Sequence, residues 1–247
     1  MAPAARRASL RALIWDVDGT LAETERDGHR AAFNDAFAAM GLPWHWSVDR
    51  YGELLTTSGG LERLLRDLAG RDDAPRAACE RLALARELHR RKNAAYVRRI
   101  GGGAIALRPG VRRLMQQARE AGARLAIATT TGRANVDALL APHLGAAWHE
   151  GFAAIVCAEQ APLKKPHPQV YELALRGLGM PASDTLAIED SPQGVASARA
   201  AGVAVLLARS AYFAACDGTG AIAVHDDLAA VQWPRLCELH RRAMARP

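Results

Sequence analysis

Lysine is scarce in this chain of 247 residues, which has 32 lysines and arginines together but only three lysines. Two of the three, Lys164 and Lys165, stand side by side before Pro166. An ammonium group is a compact point charge that fits between two anions, whereas a guanidinium is a broad planar fork. The strong preference for arginine elsewhere in the chain therefore indicates that the lysine pair has a role that arginine cannot fill. The alternative is a solvated surface pair in an arginine-rich chain.

Paired cysteines and long apolar runs are also lacking. Cys79, Cys157, Cys216 and Cys237 show no CxxC spacing, so we expect free thiols in a reducing compartment. No apolar run reaches the roughly 18 residues that span a bilayer. The stretch 1–7 is too short for a secretory signal. We therefore expect a cytoplasmic protein with no membrane partner.

The net charge of +6 and the pI near 9.5 are compatible with an anionic partner. The arginines are spread over many predicted helices and form no basic block interleaved with aromatic residues. This distribution favours a small anionic ligand over nucleic acid. The length suits one domain with a large insertion, or two modest domains. We expect a monomer.

Five short apolar runs predict buried strands, because continuous apolar character is expected where helices cover both faces of a sheet. Helical patterns follow the second, third and fourth runs at 135–140, 169–178 and 194–201. This alternation predicts an α/β fold with a doubly wound, Rossmann-like parallel sheet. The predicted strands are 12–15, 125–128, 153–156, 186–188 and 203–207.

A long helical stretch separates the first two strands. Segments 26–40, 60–69 and 75–99 are helix-patterned with no strand among them, and a normal crossover is far shorter than about 80 residues. The stretch ends near the glycine triplet 101–103, whose flexibility suits a hinge. We predict an inserted all-helical cap domain. The predicted boundaries are 1–22 for the first part of the core, 23–105 for the cap and 106–247 for the rest of the core.

Asp16 and Asp18 directly follow the first strand, in the sequence Asp-Val-Asp-Gly-Thr. Ligands of open α/β sheets bind beyond the carboxyl ends of the strands. Strand alternation would bring both carboxylates to one site, where one can act as nucleophile and the other as proton donor and acceptor. A simple Asp-Gly turn would account for Asp18 but not for Asp16.

The other strand ends carry complementary groups. Thr129, Thr130 and Thr131 precede a glycine and a helix start, where hydroxyl and free N–H groups form a phosphate cradle. A plain N-cap would need only one of these hydroxyls. Glu189 and Asp190 follow the fourth strand. Together with Asp16 they would crowd three carboxylates, which calls for a cation, and the absence of nearby His or Cys favours Mg²⁺ over zinc.

These motifs together resemble the core motifs of the haloacid dehalogenase superfamily, in its phosphatase and phosphomutase branch. The resemblance implies that Asp16 attacks a phosphoryl group and forms an aspartyl-phosphate. Asp18 would protonate the leaving oxygen and then activate water. Thr129 and Lys165 would hold phosphoryl oxygens. Haloalkanoate dehalogenases lack the second aspartate, so Asp18 favours phosphate chemistry.

The same resemblance implies the metal ligands. Mg²⁺ would be bound by Asp16, the Asp18 carbonyl oxygen and Asp190, with Glu189 in support.

A closer resemblance, over nearly the whole chain, is to CbbY-type proteins. It rests on segments 21–30 and 53–60 and on the form Lys164-Lys165-Pro166. It implies a phosphatase that removes the 1-phosphate of xylulose-1,5-bisphosphate, an inhibitor of Rubisco in the Calvin cycle, and leaves xylulose 5-phosphate. The predicted substrate-binding residues are Glu25, His29, Arg63, Thr130, Thr131, Arg133 and Lys164.

One departure from that family bears on the substrate. Relatives usually carry a lysine where this chain has Leu61, and a cap cation there would bind the distal phosphate. Arg63 and Arg133 are the candidates to replace it. The alternatives are a phosphoglycolate phosphatase-like enzyme, a phosphomutase resembling β-phosphoglucomutase, and a non-catalytic binding protein. The last is disfavoured because no catalytic motif residue is missing.

Overall fold

A computed structural model describes residues 9–245, so the stretch 1–7 lies outside the described residues. Within that range one sheet of six parallel strands has the order β3-β2-β1-β4-β5-β6. The strand bounds are Ala12–Trp15 (β1), Arg124–Ala128 (β2), Ala154–Val156 (β3), Thr185–Glu189 (β4), Ala204–Ala208 (β5) and Ala223–His225 (β6).

Alternation along β1 builds a hydrophobic layer on each face of the sheet. Leu13 and Trp15 belong to one buried cluster, whereas Ala12 and Ile14 belong to the other. Both faces are therefore covered, as the continuous apolar runs predict. All five predicted strands are confirmed. The apolar runs do not predict β6, a half-buried edge strand of three residues.

The helices inserted between β1 and β2 form the cap. A π-helical turn, Glu25–His29, leads into the four helices. Three of them correspond to predicted segments, although the segment 26–40 is divided between the π-helical turn and a shorter helix. The second helix was not predicted, and its N-cap Ser47 accepts a hydrogen bond from the N–H of Arg50. The bounds are Arg30–Ala39 (α1), Val48–Leu54 (α2), Gly60–Ala69 (α3) and Ala78–Ile100 (α4).

The cap has its own aromatic core. Phe33, Phe37, Trp46 and Tyr51 are fully buried, with the rings of Phe33 and Trp46 centred 4.6 Å apart. Asp67 lies at the edge of this cluster. It accepts hydrogen bonds from Trp46 Nε1 at 2.9 Å and from two arginines of the cap.

Five further helices cover the sheet. Ser191 caps one of them by accepting a hydrogen bond from the N–H of Gly194, and Pro192 occupies its first position. None of the helices formed by residues 9–245 combines the length and apolar character that crossing a bilayer requires. The bounds are Val111–Glu120 (α5), Arg133–Leu144 (α6), Gln169–Leu178 (α7), Pro192–Ala200 (α8) and Trp233–Met244 (α9).

Candidate active site

Lys165 is the central cation of the site at the carboxyl ends of the strands. Its buried Nζ donates to Asp16 Oδ1 at 2.6 Å, to Glu189 Oε1 at 2.5 Å and to the Ala128 carbonyl oxygen at 3.0 Å. Burial alone would lower the pKa of Lys165, but the charges of Asp16 and Glu189 raise it above its ordinary value. Lys165 therefore lies between two anions, the arrangement for which a compact ammonium is suited.

Asp16, Glu189 and Asp190 form a buried carboxylate cluster. One oxygen from each lies within 4.8 Å of the others. Burial raises the pKa of Asp16 to about 7, against the opposing charge of Lys165. The pKa of Asp190 is raised well above its usual range, first by burial and then by Asp16 and Glu189. A single ammonium cannot neutralise three crowded carboxylates, so the donor set fits a hard dication with oxygen ligands.

The loop after β1 is shaped closely around this cluster. Gly19 has a φ of +87°, and a Cβ atom there would lie 2.1 Å from Asp190 Oδ2. On the other side, the Tyr171 hydroxyl donates to Glu189 Oε1 at 2.5 Å. The Asp-Gly step is therefore more than a turn, because glycine is required for the close approach of Asp190.

Asp18 lies beside the cluster and faces the cap. Its Oδ1 accepts from Thr24 Oγ1 at 2.6 Å and lies 2.9 Å from His29 Nε2. The His29 ring is buried and stacks on Tyr96, with centroids 4.0 Å apart. Burial would raise the pKa of Asp18, but the His29 charge and the hydrogen bonds from His29 and Thr24 lower it to about 2. Asp18 is thus held as a carboxylate in contact with a potential proton carrier.

The threonine run completes the small inner cavity, of about 60 Å³, in which Asp16 and Lys165 also lie. Thr129 is buried, and its Oγ1 accepts a hydrogen bond from the N–H of Thr131 at 3.2 Å. Thr129 and Thr130 line this cavity. The structure therefore brings together the predicted nucleophile, proton carrier, cation and hydroxyl cradle.

An outer cavity of about 270 Å³ adjoins the inner one and is roofed by the cap. Five residues are common to the walls of both cavities: Asp18, Glu25, Gly59, Arg63 and Thr130. Of the predicted substrate-binding residues, six line the outer cavity: Glu25, His29, Arg63, Thr130, Thr131 and Lys164.

Arg63 lines the cavity and belongs to a chain of hydrogen bonds with Tyr51 and Glu25. Its Nη1 donates to the Tyr51 hydroxyl at 2.6 Å, and that hydroxyl donates to Glu25 Oε2 at 2.5 Å. The guanidinium is buried, and within residues 9–245 its Nε finds no hydrogen-bond partner. The guanidinium also lies 3.7 Å from Glu25 Oε2, so a cation and a carboxylate are held side by side on the cavity wall.

The structure does not bring the Arg133 side chain into this group. Arg133 Nε donates to Asp137 Oδ1 at 3.0 Å, and the guanidinium lies over the Trp148 ring. Arg133 begins α6, so a partner four residues along the same helix is within easy reach. Leu61 lines the outer cavity, where it contributes an apolar surface.

Lys92 of α4 lies in the site although the sequence motifs do not predict it there. It is buried, lines the outer cavity and lies 5.1 Å from the Phe33 ring centroid. Its Nζ is 3.4 Å from Asn93 Oδ1. Burial lowers the pKa of Lys92 to about 8, although Asp18 and Glu25 oppose this. The rarity of lysine was the available signal, since Lys92 is the one lysine outside the pair.

Comparison with known proteins places the chain in a family. The family model for haloacid dehalogenase-like hydrolases matches residues 10–202. The parallel sheet, the cap and the carboxylate–lysine site agree with that match, and the chain belongs to the haloacid dehalogenase-like hydrolases. It is a phosphatase of this family.

The similar proteins narrow the relationship. CbbY of Rhodobacter capsulatus is 46% identical over 230 residues, covering 93% of this chain and 99% of that protein. Plasmid-encoded CbbY of Cupriavidus necator is 46% identical over 215 residues, or 87% of this chain and 84% of that protein. The crystal structure of Rhodobacter sphaeroides CbbY in complex with phosphate matches with a TM-score of 0.83 and 40% identity. It covers 89% of this chain and 95% of that chain.

A second CbbY crystal structure from Rhodobacter sphaeroides contains xylulose-(1,5)bisphosphate. It matches with a TM-score of 0.82 and 40% identity, over 89% of this chain and 95% of that chain. β-Phosphoglucomutase from Clostridium difficile shares the fold at 18% identity. Within its family, this chain is therefore similar to CbbY, a sugar phosphatase type.

Proposed function

We propose that this protein is a Mg²⁺-dependent phosphatase that hydrolyses xylulose-1,5-bisphosphate to xylulose 5-phosphate. The observation that carries the proposal is the position of Lys165 between Asp16 and Glu189, at the inner end of a cavity with cations along its walls. Phosphoryl transfer depends chiefly on positioning and on electrostatic stabilisation of spreading negative charge. Lys165 provides a charge for both the nucleophile and the transferred group.

In the first step, a carboxylate oxygen of Asp16 attacks phosphorus while the bond from phosphorus to the sugar oxygen breaks. The product is an aspartyl-phosphate, and the leaving oxygen takes, through Asp18 Oδ1, a proton that Asp18 shares with His29 Nε2. The 2.9 Å contact between Asp18 and His29 allows that proton to be held between them beforehand. Thr129 and Lys165 bind the oxygens of the transferred group.

In the second step, water attacks phosphorus and the bond to Asp16 breaks, which releases inorganic phosphate. Asp18, whose pKa is lowered to about 2, is a carboxylate that accepts the proton of this water. The low pKa therefore suits this step, and the His29 contact serves the first.

The metal would be held by Asp16, the Asp18 carbonyl oxygen and Asp190, with Glu189 in support. When bound, Mg²⁺ supplies positive charge that offsets the phosphate oxygens and the crowded carboxylates. With that charge present, Asp16 is favoured in the ionised form that a nucleophile needs, in spite of its burial.

The substrate assignment rests on the outer cavity. Three cationic side chains, Lys92, Arg63 and Lys164, line it together with four carboxylates, so cations other than one at Leu61 are available to the distal phosphate. The CbbY structure with bound xylulose-(1,5)bisphosphate supports the same substrate class. We further propose the domain boundaries 1–22, 23–105 and 106–247, a cytoplasmic location, a monomeric state and a role beside the Calvin cycle.

A substrate panel tests this proposal. Values of kcat/KM are measured for xylulose-1,5-bisphosphate, ribulose-1,5-bisphosphate, phosphoglycolate and β-glucose 1-phosphate. The proposal predicts the highest value for the first. A preference for phosphoglycolate would instead identify Leu61 as a lost distal-phosphate site, and isomerisation of the hexose phosphate would identify a phosphomutase. Asp16→Asn must abolish phosphate release while the circular dichroism spectrum is retained.

A further inference from the structure

A loop of the core reaches into the hydrophobic cluster of the cap. The short 3-10 turn Ala211–Phe213 follows β5, and the side chains of Tyr212 and Phe213 pack against the cap cluster. The Tyr212 ring is centred 5.8 Å from the ring of Tyr51, which is fully buried. This contact joins the two parts of the molecule close to the site.

Gly52 is the cap residue against which the Tyr212 ring packs. It lies inside α2, and its φ is not positive, so backbone conformation does not require glycine there. Glycine in a helix interior costs roughly 1 kcal/mol relative to alanine. A Cβ atom at this position would lie 3.2 and 3.3 Å from Tyr212 Cδ1 and Cε1, closer than ordinary contacts. The glycine is therefore explained by the approach of the Tyr212 ring.

Beyond Gly52, the contact reaches the outer cavity through Tyr51. The Tyr51 hydroxyl donates to Glu25 and accepts from Arg63, and both of these side chains line the cavity. Fixing the Tyr51 ring therefore fixes the positions of a carboxylate and a cation on the cavity wall.

The loop is itself anchored to the connections between cap and core. The N–H of Ala211 lies 3.3 Å from both carboxylate oxygens of Glu23, and Glu23 forms an ion pair with Arg108 at 3.3 Å. Arg108 is buried and also donates to the carbonyl oxygens of Ala208 and Asp226, at 2.9 and 2.8 Å. These contacts fix the position of the loop that carries Tyr212.

We propose that Tyr212 is a positioning residue for the sugar end of the substrate: packed against Gly52, it orients Tyr51, Glu25 and Arg63. This inference rests on the proposed function of the outer cavity. The ring performs the role, because the Tyr212 hydroxyl is buried and finds no hydrogen-bond partner within residues 9–245.

The test compares Tyr212→Ala, Tyr212→Phe and Gly52→Ala on two substrates. Xylulose-1,5-bisphosphate needs the outer cavity, whereas p-nitrophenyl phosphate carries neither a sugar nor a second phosphate. Tyr212→Ala is expected to lower kcat/KM for the bisphosphate at least tenfold, mainly through KM, and to change kcat/KM for p-nitrophenyl phosphate less than threefold. Tyr212→Phe should remain within twofold of wild type on both.

Gly52→Ala tests the same contact independently, from the cap side. It should lower kcat/KM for the bisphosphate at least fivefold without lowering Tm, because alanine favours the helix. Adding Tyr212→Ala to Gly52→Ala should cause no loss beyond that of Tyr212→Ala alone, since the two changes break one contact. Equal losses on both substrates in Tyr212→Ala, or full bisphosphate activity in Gly52→Ala, would overturn the inference.

A third readout separates this inference from the substrate assignment. Hydrogen exchange of segment 48–54 is measured with Mg²⁺ and inorganic phosphate present. Faster exchange in Tyr212→Ala, but not in Tyr212→Phe, supports the cap contact even if the wild type prefers another substrate. Identical exchange in all three proteins would refute it.

Discussion

Replacing Lys92 with methionine distinguishes the contribution that the distal end of the substrate makes to kcat/KM from that of the reacting end. Methionine has a similar length and no charge, so Lys92→Met removes the buried ammonium from the outer cavity and leaves the Asp16–Lys165 contact untouched. We expect kcat/KM for xylulose-1,5-bisphosphate to fall, and kcat/KM for xylulose 1-phosphate, which lacks the distal phosphate, to change little.

The magnitude follows from the charged contact that is lost. A hydrogen bond to a charged group contributes about 1.5–3 kcal/mol, which corresponds to a fall of roughly 10- to 150-fold in kcat/KM. Stability should not fall, because burial already lowers the pKa of Lys92 from 10.5 to about 8. Below pH 8 that shift means that the charged Lys92 lowers the unfolding free energy by roughly 3 kcal/mol, and Lys92→Met removes this destabilisation.

The pH dependence has a definite sign. Lys92 is charged below about pH 8 and neutral above it, so the preference for bisphosphate over monophosphate should decline as pH rises through that value. Enzyme groups that serve both substrates cancel in this ratio, so its decline near pH 8, above the titration of the phosphate groups, reports Lys92. In Lys92→Met the ratio should be low and independent of pH.

Arg91→Met is the matched control. It removes one positive charge from the neighbouring position of α4, but Arg91 pairs with Glu87 and does not line the outer cavity. It should leave the substrate ratio unchanged. If Lys92→Met keeps the wild-type ratio, or if the control lowers it equally, the reasoning about the distal phosphate is wrong.

Three further predictions concern the metal, its surroundings and the cap. Mg²⁺ at about 100 times its Kd should raise Tm by roughly 5–10 °C, because binding adds about 2.7 kcal/mol, and calorimetry of Asp190→Asn should show no such rise. Tyr171→Phe removes the hydrogen bond to Glu189 and should weaken Mg²⁺ affinity about 10- to 100-fold in a titration, whereas unchanged affinity would exclude this role. Asp67→Asn should lower the unfolding free energy by about 1–3 kcal/mol at pH 7. Burial would raise the pKa of Asp67, but the hydrogen bonds from Arg50 and Arg71 lower it. The stability that these bonds contribute is therefore present above about pH 4 and is lost as the pH falls through the lowered pKa of Asp67. Urea unfolding should therefore show a smaller difference near pH 3, and an equal difference at both pH values would contradict the assignment.

The inner site could be predicted because its residues are fixed by local sequence and by one topological rule. Asp16, Thr129 and Glu189 each lie at the carboxyl end of a buried strand, and parallel strands bring those ends to one edge. Lys165 reaches that edge from a loop, but its rarity and its position before proline marked it. Local pattern and sheet geometry were sufficient here.

The outer site could not be predicted in the same way. Lys92 lies within a 23-residue helix, and only the tertiary placement of that helix over Asp18 turns it towards the cavity. Arg133 was assigned to the site from its position after the threonine run, yet its side chain finds a partner on its own helix. Tyr212 gave no sequence signal, because its contact with Gly52 joins residues far apart in the chain.

Trapping the covalent intermediate tests the central claim most directly. An aspartyl-phosphate is an acyl phosphate, so borohydride quenching during turnover of the bisphosphate should reduce the modified side chain to an alcohol. Peptide mass spectrometry should find this change at Asp16, only with substrate and Mg²⁺ present. An active enzyme that shows no modification at Asp16 under these conditions, or shows it at another residue, would contradict the account.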